Sequence, residues 1–157
     1  LGFALGEGAQ HLDHHTVHEH TAPDTWSNLE FKAVLADQSR STYTGRIRIV
    51  EGAPRSEAYQ ENRNLILGAE ARADTIPELE ILTDDVMCSH GATVAPIEEE
   101  PIFYLQSRGL DREAATRLIV RGFLDSTLQR LPEEIAARVG AAVDARLDRV
   151  DPVRSGG

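Results

Sequence analysis

Apolar residues fall in short bursts through the first two thirds of the chain and at helical spacing through the last third. The bursts run from Leu29 to Leu35, Arg46 to Val50, Asn64 to Leu67, Leu79 to Leu82 and Thr93 to Ile97. Several alternate polar and apolar, as in Gly45-Arg46-Ile47-Arg48-Ile49-Val50, which is the pattern of a strand with one buried face. Turn-prone runs separate them at Gly52-Ala53-Pro54, Gly68-Ala69-Glu70 and Thr83-Asp84-Asp85. No segment between Leu29 and Ile97 carries sustained helical periodicity. The bursts recur every 12 to 18 residues or so, and no Asn-Gly or Asp-Gly turn joins any two of them. Strands without tight hairpins lean toward stacked coils, although periodicity alone leaves a sandwich open.

After Pro96 the period changes. Glu98-Glu99-Glu100-Pro101 puts acids and a proline where a helix starts, as the helix dipole and the first-turn geometry favour. Ile102, Phe103 and Leu105 form the apolar side of this first helix, and Gly109 stands where a left-handed cap would end it. Asp111 caps a second helix whose apolar side is Leu118, Ile119, Gly122, Phe123 and Leu128. Pro132 restarts the chain into a third, marked by Ile135, Val139, Val143, Leu147 and Val150, and the tail from Arg154 to Gly157 is expected to fray. The expected organisation is a β-rich unit over residues 1–97 followed by a helical unit over 98–157.

Composition narrows the function. At 157 residues the chain is one ordinary domain in size, and a net charge of −10 argues against nucleic acid or an anionic membrane as a partner. A single cysteine excludes an internal disulfide and, with no signal peptide and no membrane-spanning apolar run, fits the cytoplasm. The chain opens on Leu1 and its sole methionine is Met87, which reads as a C-terminal piece of a longer protein. Of the 16 basic residues only Lys32 is a lysine.

Two groups of side chains could carry chemistry. Cys88 and His90 stand two positions apart, so on a strand they leave the same face, and a thiolate beside an imidazole suits iron, zinc or a nascent cluster. Two ligands make half a site, and spacing alone favours a buried thiol beside a hydrogen-bonded core histidine. Five histidines crowd between His11 and His20, where His14, His18 and His20 would share one strand face and His11 and His15 the other. That cluster is either a metal site assisted by Asp13 and Glu19, as in a metal-dependent enzyme, or a polar strand. Nucleophile-elbow, phosphate-loop and His-Glu-x-x-His sequences are absent.

Read in order, the segments resemble one family. Asp13-His14-His15-Thr16, Ser27-Asn28-Leu29-Glu30-Phe31-Lys32, Tyr43-Thr44-Gly45-Arg46-Ile47 and Tyr59-Gln60-Glu61-Asn62-Arg63-Asn64-Leu65 are similar to the SufB/SufD proteins of the SUF iron–sulfur assembly system. The most specific stretch is Asp84-Asp85-Val86-Met87-Cys88-Ser89-His90-Gly91-Ala92-Thr93, followed by Phe103-Tyr104-Leu105-Gln106-Ser107-Arg108-Gly109. Cys-Ser-His-Gly-Ala-Thr resembles the SufD version, and Gly91 departs from the SufB pattern. The resemblance implies a right-handed parallel β-helix followed by a C-terminal α-helical domain, and no enzymatic activity of the chain's own. It implies a SufB-like partner, a SufC-like ABC ATPase, and an iron–sulfur cluster or iron held transiently and shared, with His90 and Cys88 contributing. The ATPase would meet Phe103, Tyr104, Arg108, Gly109 and Asp111. The rival expectation is a purely structural partner without a metal ligand, able to form a homodimer when the SufB-like subunit is absent.

Overall fold

Strands β1 (Gly2–Gly6), β2 (His11–His20), β3 (Trp26–Leu35), β4 (Arg40–Ile49), β5 (Ser56–Ile66), β6 (Arg72–Ile81) and β7 (Val86–Pro96) precede helices α1 (Glu99–Gln106), α2 (Arg112–Leu128) and α3 (Glu133–Leu147). This computed structural model describes residues 1–147. Val150 and the tail from Arg154 lie outside the described residues.

Odd strands form a sheet in the order β1-β3-β5-β7 and even strands a sheet in the order β2-β4-β6. Every pairing is parallel, with Gly2 against Phe31, Trp26 against Glu57 and Ser56 against Val86. A coil therefore consumes about 30 residues and holds two strands, which is why the apolar bursts recur at half that interval. The chain is a parallel β-solenoid followed by three helices, and the sandwich alternative falls because sandwiches are built from antiparallel strands.

The strands are longer than the apolar bursts that announced them, and β1 and β2 gave no such burst. The bursts mark the later part of β3 to β7, while small and polar residues mix with apolar ones on the inward face of the earlier part. Inward positions of β5 are Ala58, Gln60, Asn62 and Asn64, all buried. Burial of the two asparagines is tolerated because their amides are bonded. Asn62 Nδ2 donates to the Phe31 carbonyl at 3.1 Å, and its Oδ1 accepts from Asn64 Nδ2 at 2.7 Å and Thr75 Oγ1 at 2.6 Å. Pro77 interrupts β6 without loss, since β6 is the last strand of its sheet and an edge position need not donate.

The corners stack as the strands do. At the turn after β3, Asp37 adopts φ 53° and its carboxylate accepts the Gly8 N–H of the preceding coil at 2.7 Å. Gly68, in the equivalent turn one coil on, lies so close that an added Cβ would sit 2.3 Å from the Asp37 carbonyl oxygen.

The helices cover the outer face of the four-stranded sheet. Val34 points out of β3 into Val120 and Leu124 of α2 and Val143 and Leu147 of α3. Beside it the buried Lys32 donates to the Phe123 carbonyl at 2.8 Å and to Ser126, lies 4.9 Å from the Phe123 ring centroid, and pairs with Glu30 at 2.8 Å. Glu30 also accepts from Thr127 at 3.1 Å and from Arg130, just beyond α2, at 2.9 Å, so an ion pair within β3 is hydrogen-bonded to the last turns of α2. The outer face of the other sheet is solvated and carries rungs of charge, with Arg46 on Glu78 and Arg48 between Glu19 and Glu80.

Helix ends follow the sequence: Asp111 accepts the Ala114 N–H at 2.8 Å, and Gly109 takes φ 96°. Helix faces follow it less well. The buried stripe of α2 is Ala115, Thr116, Val120, Leu124, Thr127 and Leu128. Of the expected apolar side only Leu128 is buried, while Leu118 and Gly122 face solvent. Thr116 and Thr127 can turn inward because Thr116 returns its hydroxyl to the Arg112 carbonyl and Thr127 gives its own to Glu30. In α1 only Ile102 is buried, and Phe103, expected beside it, is 73% exposed. Ile135 of α3 is likewise exposed, whereas Val143 and Leu147 are buried as expected.

Candidate functional site

Strand β7 carries Cys88 and His90, and the register places them opposite Ala58 and Gln60 of β5. Both residues lie on one face, as their spacing predicted, and the register makes that face the inward one. Among the described residues β7 pairs only with β5 and β6 only with β4, so the last coil leaves one unpaired edge in each sheet. The inward face is consequently open at this end. Leu79, Ile81 and Val94, on inward positions of the same coil, are 42%, 39% and 48% exposed.

The two members of the pair differ in environment. Cys88 is half-buried against the apolar cluster of Ile47, Ile49, Ala53 and Ala58. Burial pushes its thiol above the usual value, against a smaller opposing effect from the Ala58 backbone hydrogen bond. The neutral thiol is the poorer ligand and the better packing group. His90 is exposed. Its imidazole is open to solvent at this end.

The column running through His90 holds a second polar group that the sequence reading gave no weight. Gln60 is 5% exposed, and its Nε2 donates to the Gly45 carbonyl at 3.4 Å. Its Oε1 is buried and has no partner among the described residues. The available signal was alternation: Gln60, Asn62 and Asn64 occupy successive same-face positions of one strand.

The histidine-rich strand β2 divides as expected, and the structure spends most of its rings on packing. His20 is buried with both ring nitrogens bonded, to Thr25 at 2.6 Å and Ser27 at 2.8 Å. His18 meets Ser27 at 3.3 Å, and burial, then the neighbouring His20, hold it below the ordinary histidine value. The His14 ring lies 4.8 Å from that of Phe31, which stacks at 4.8 Å on Tyr43. Outside, His15 pairs with Asp13 at 3.2 Å and His11 with Thr42 at 3.2 Å. No three His, Cys, Asp or Glu side chains converge on a metal position among the described residues.

A separate surface lies on α1 and the turn after it. Phe103 and Tyr104 are exposed, the Arg108 guanidinium lies 5.2 Å from the Tyr104 ring centroid, and Gly109 and Asp111 shape the turn into α2. This surface is built on α1 and the turn after it, whereas His90 stands on β7. No described helix is long and apolar enough to cross a membrane.

With these features in place, the comparisons are specific. Residues 1–123 match the domain described as SUF system FeS cluster assembly, SufBD core domain. The chain belongs to the SufBD family. Among its SufBD relatives are the iron–sulfur cluster assembly protein SufD of Escherichia coli, 37% identical over 133 residues, and a SufBD family protein of Synechocystis, 34% identical over 132. These alignments cover 82% and 84% of the chain but 31% and 29% of the relatives. A SufBD family protein of Mycobacterium leprae is 31% identical over 156 residues, covering 94% of the chain and 40% of that protein. The chain thus spans about a third of the length of the SufBD relatives it matches. The SufBD match extends through β1 to β7 and into α2, so it takes in both the coil end that bears His90 and the surface of α1.

Proposed function

We propose that this chain belongs to a SufD-like subunit of a cytoplasmic SUF complex, one that performs no catalysis itself and lends a ligand to a cluster assembled with its partners. The observation that carries the reading is the place of His90: an exposed imidazole on the inward face of the terminal strand, at a coil end whose strand edges are free. A SufB-like β-solenoid docking there would cover Leu79, Ile81 and Val94 and bring ligands of its own to His90. The nascent iron–sulfur cluster is cargo, and one histidine with a neighbouring cysteine cannot satisfy its four protein ligands. The shared site is therefore a matter of assembly. Cys88 stands at its edge, held largely by packing.

The test is His90→Ala in the full-length protein, purified anaerobically with its partners. Cluster retention by the complex is expected to fall about 10-fold or more, on the scale of other losses at metal sites, while the thermal melt of the subunit stays in place because the ring is exposed. Normal cluster content in the variant complex removes His90 from the site.

A second reading, a purely structural partner, is favoured by the packing of Cys88 and the raised value of its thiol. Under both readings a SufC-like ATPase docks on Phe103, Tyr104, Arg108, Gly109 and Asp111. Phe103 carries that proposal, since a phenylalanine 73% exposed is left largely unpacked among the described residues. Phe103→Asp is expected to weaken capture of the ATPase subunit by at least 10-fold in a pull-down, a loss typical of an aromatic anchor. Unchanged capture would place the ATPase elsewhere.

A further inference from the structure

We propose that Gln60 is a positioning residue for His90, its orphaned Oε1 accepting the imidazole N–H that does not face the metal. The inference rests on the reading of His90 as a ligand and adds the group that orients it.

The argument begins with a cost. A buried amide oxygen without a partner is unfavourable, and proteins keep few of them. Gln60 is 5% exposed, and its Oε1 is the amide oxygen among three buried side-chain polar atoms without a partner in the described residues. The fold gives up a side chain to keep it there: a Cβ on Gly45 would sit 2.1 Å from Gln60 Nε2 and 2.6 Å from Oε1. The amide has one sensible orientation. Nε2 meets the Gly45 carbonyl, and the reversed amide would set two oxygens against each other.

That orientation leaves Oε1 as the free acceptor in a column that register defines as Leu29, Gln60 and His90. Side chains in register on adjacent parallel strands stand about 4.8 Å apart, within reach of a glutamine amide and an imidazole. Leu29 lies on the other side and offers no polar atom. Ala58, beside Cys88, offers none either. Gln60 is the polar side chain of β5 in register with the imidazole. A histidine that ligates a metal through one nitrogen commonly donates from the other to a fixed oxygen, which sets the tautomer and the ring plane. Gln60 supplies that oxygen from a buried and inflexible site.

The test uses the full-length protein in its complex, prepared without metal, with Co(II) as the probe under anaerobic conditions. Gln60→Leu removes the acceptor and is expected to weaken Co(II) binding by about 10-fold to 100-fold. The melting temperature is expected to hold or rise, because an unsatisfied buried oxygen is removed. Gln60→Glu in its neutral form can donate to Gly45 and accept from His90, and is expected to restore binding to within about threefold of the parent. If the leucine variant melts early, Gln60→Ala removes the same acceptor without a branched side chain. Loss of affinity that merely tracks loss of melting temperature across both variants would make Gln60 structural and overturn the inference. Full Co(II) affinity in Gln60→Leu, with affinity lost in His90→Ala, overturns it while leaving the ligand reading intact. Full affinity in His90→Ala overturns both.

Discussion

Replacing Lys32 by alanine is expected to cost about 3–5 kcal/mol of unfolding free energy, read as a lowered urea midpoint at neutral pH. Lys32 is 2% exposed, and its ammonium is enclosed by Glu30, the Phe123 carbonyl, Ser126 and the Phe123 ring. Truncation leaves the Glu30 carboxylate in a half-closed site with only Arg130 and Thr127 to answer it. Arg130 is itself 42% exposed, so its pairing recovers little. Lys32→Met combined with Glu30→Gln removes both charges and is expected to cost less than the single change, since no charge is stranded.

The same site sets an acid limit. Burial raises the Glu30 carboxyl, but the Lys32 hydrogen bond and charge, with Thr127 and Arg130, outweigh it and hold the group below the ordinary 4.5. A carboxyl depressed on folding stabilises the native state above its unfolded value, and that contribution is lost as pH falls through the folded value. The stability curve of the parent should therefore decline below about pH 4.5, the ordinary value of the group. In Lys32→Ala this decline is expected to flatten, because the main cause of the depression is gone. An unchanged midpoint and acid limb in that variant would show that the ion pair does not fasten α2 to β3.

The second large effect belongs to a corner. Gly68→Ala is expected to cost at or above the top of the roughly 1–3 kcal/mol range for overpacking. An added Cβ would meet Asp37 backbone atoms at 2.3 Å and 2.6 Å, and backbone held in a stacked turn cannot swing aside. Gly45→Ala provides the scale: the nearest atoms to its Cβ belong to the Gln60 side-chain amide, not to backbone, so a smaller loss is expected. Gly52→Ala meets nothing within 4 Å and should be close to neutral. Urea midpoints that fail to fall in the order Gly52, Gly45, Gly68 would refute the stacked-corner account.

These sites show where the sequence spoke and where it was silent. The common face of Cys88 and His90 follows from a period of two, which any strand obeys, so it was legible at once. That β7 ends its sheet was not, because strand neighbours stand about 30 residues apart and no local pattern encodes which edge stays free. The early halves of the strands were hidden for a related reason. Asn62, Asn64 and Thr75 look like surface residues until the coil brings them together and they satisfy one another. In α2 the apolar count pointed at Leu118 and Ile119, whereas Thr116 and Thr127 turn inward. A threonine that returns its hydroxyl to its own helix, or gives it to a facing carboxylate, can be buried at little cost. The resemblance to the SufB/SufD proteins identified the solenoid, and the register within it then located Gln60.

Lys32 has one more consequence. The other basic side chains of this chain are guanidinium or imidazole, so its single ε-amine lies under α2 and the folded surface presents no lysine at all. Amine-directed cross-linkers, acyl donors and ubiquitin-type conjugation find no lysine handle on this stretch of chain while it is folded. Acylation of Lys32 requires α2 to lift from the sheet, and the chemical mark then becomes a permanent record that the helix once opened.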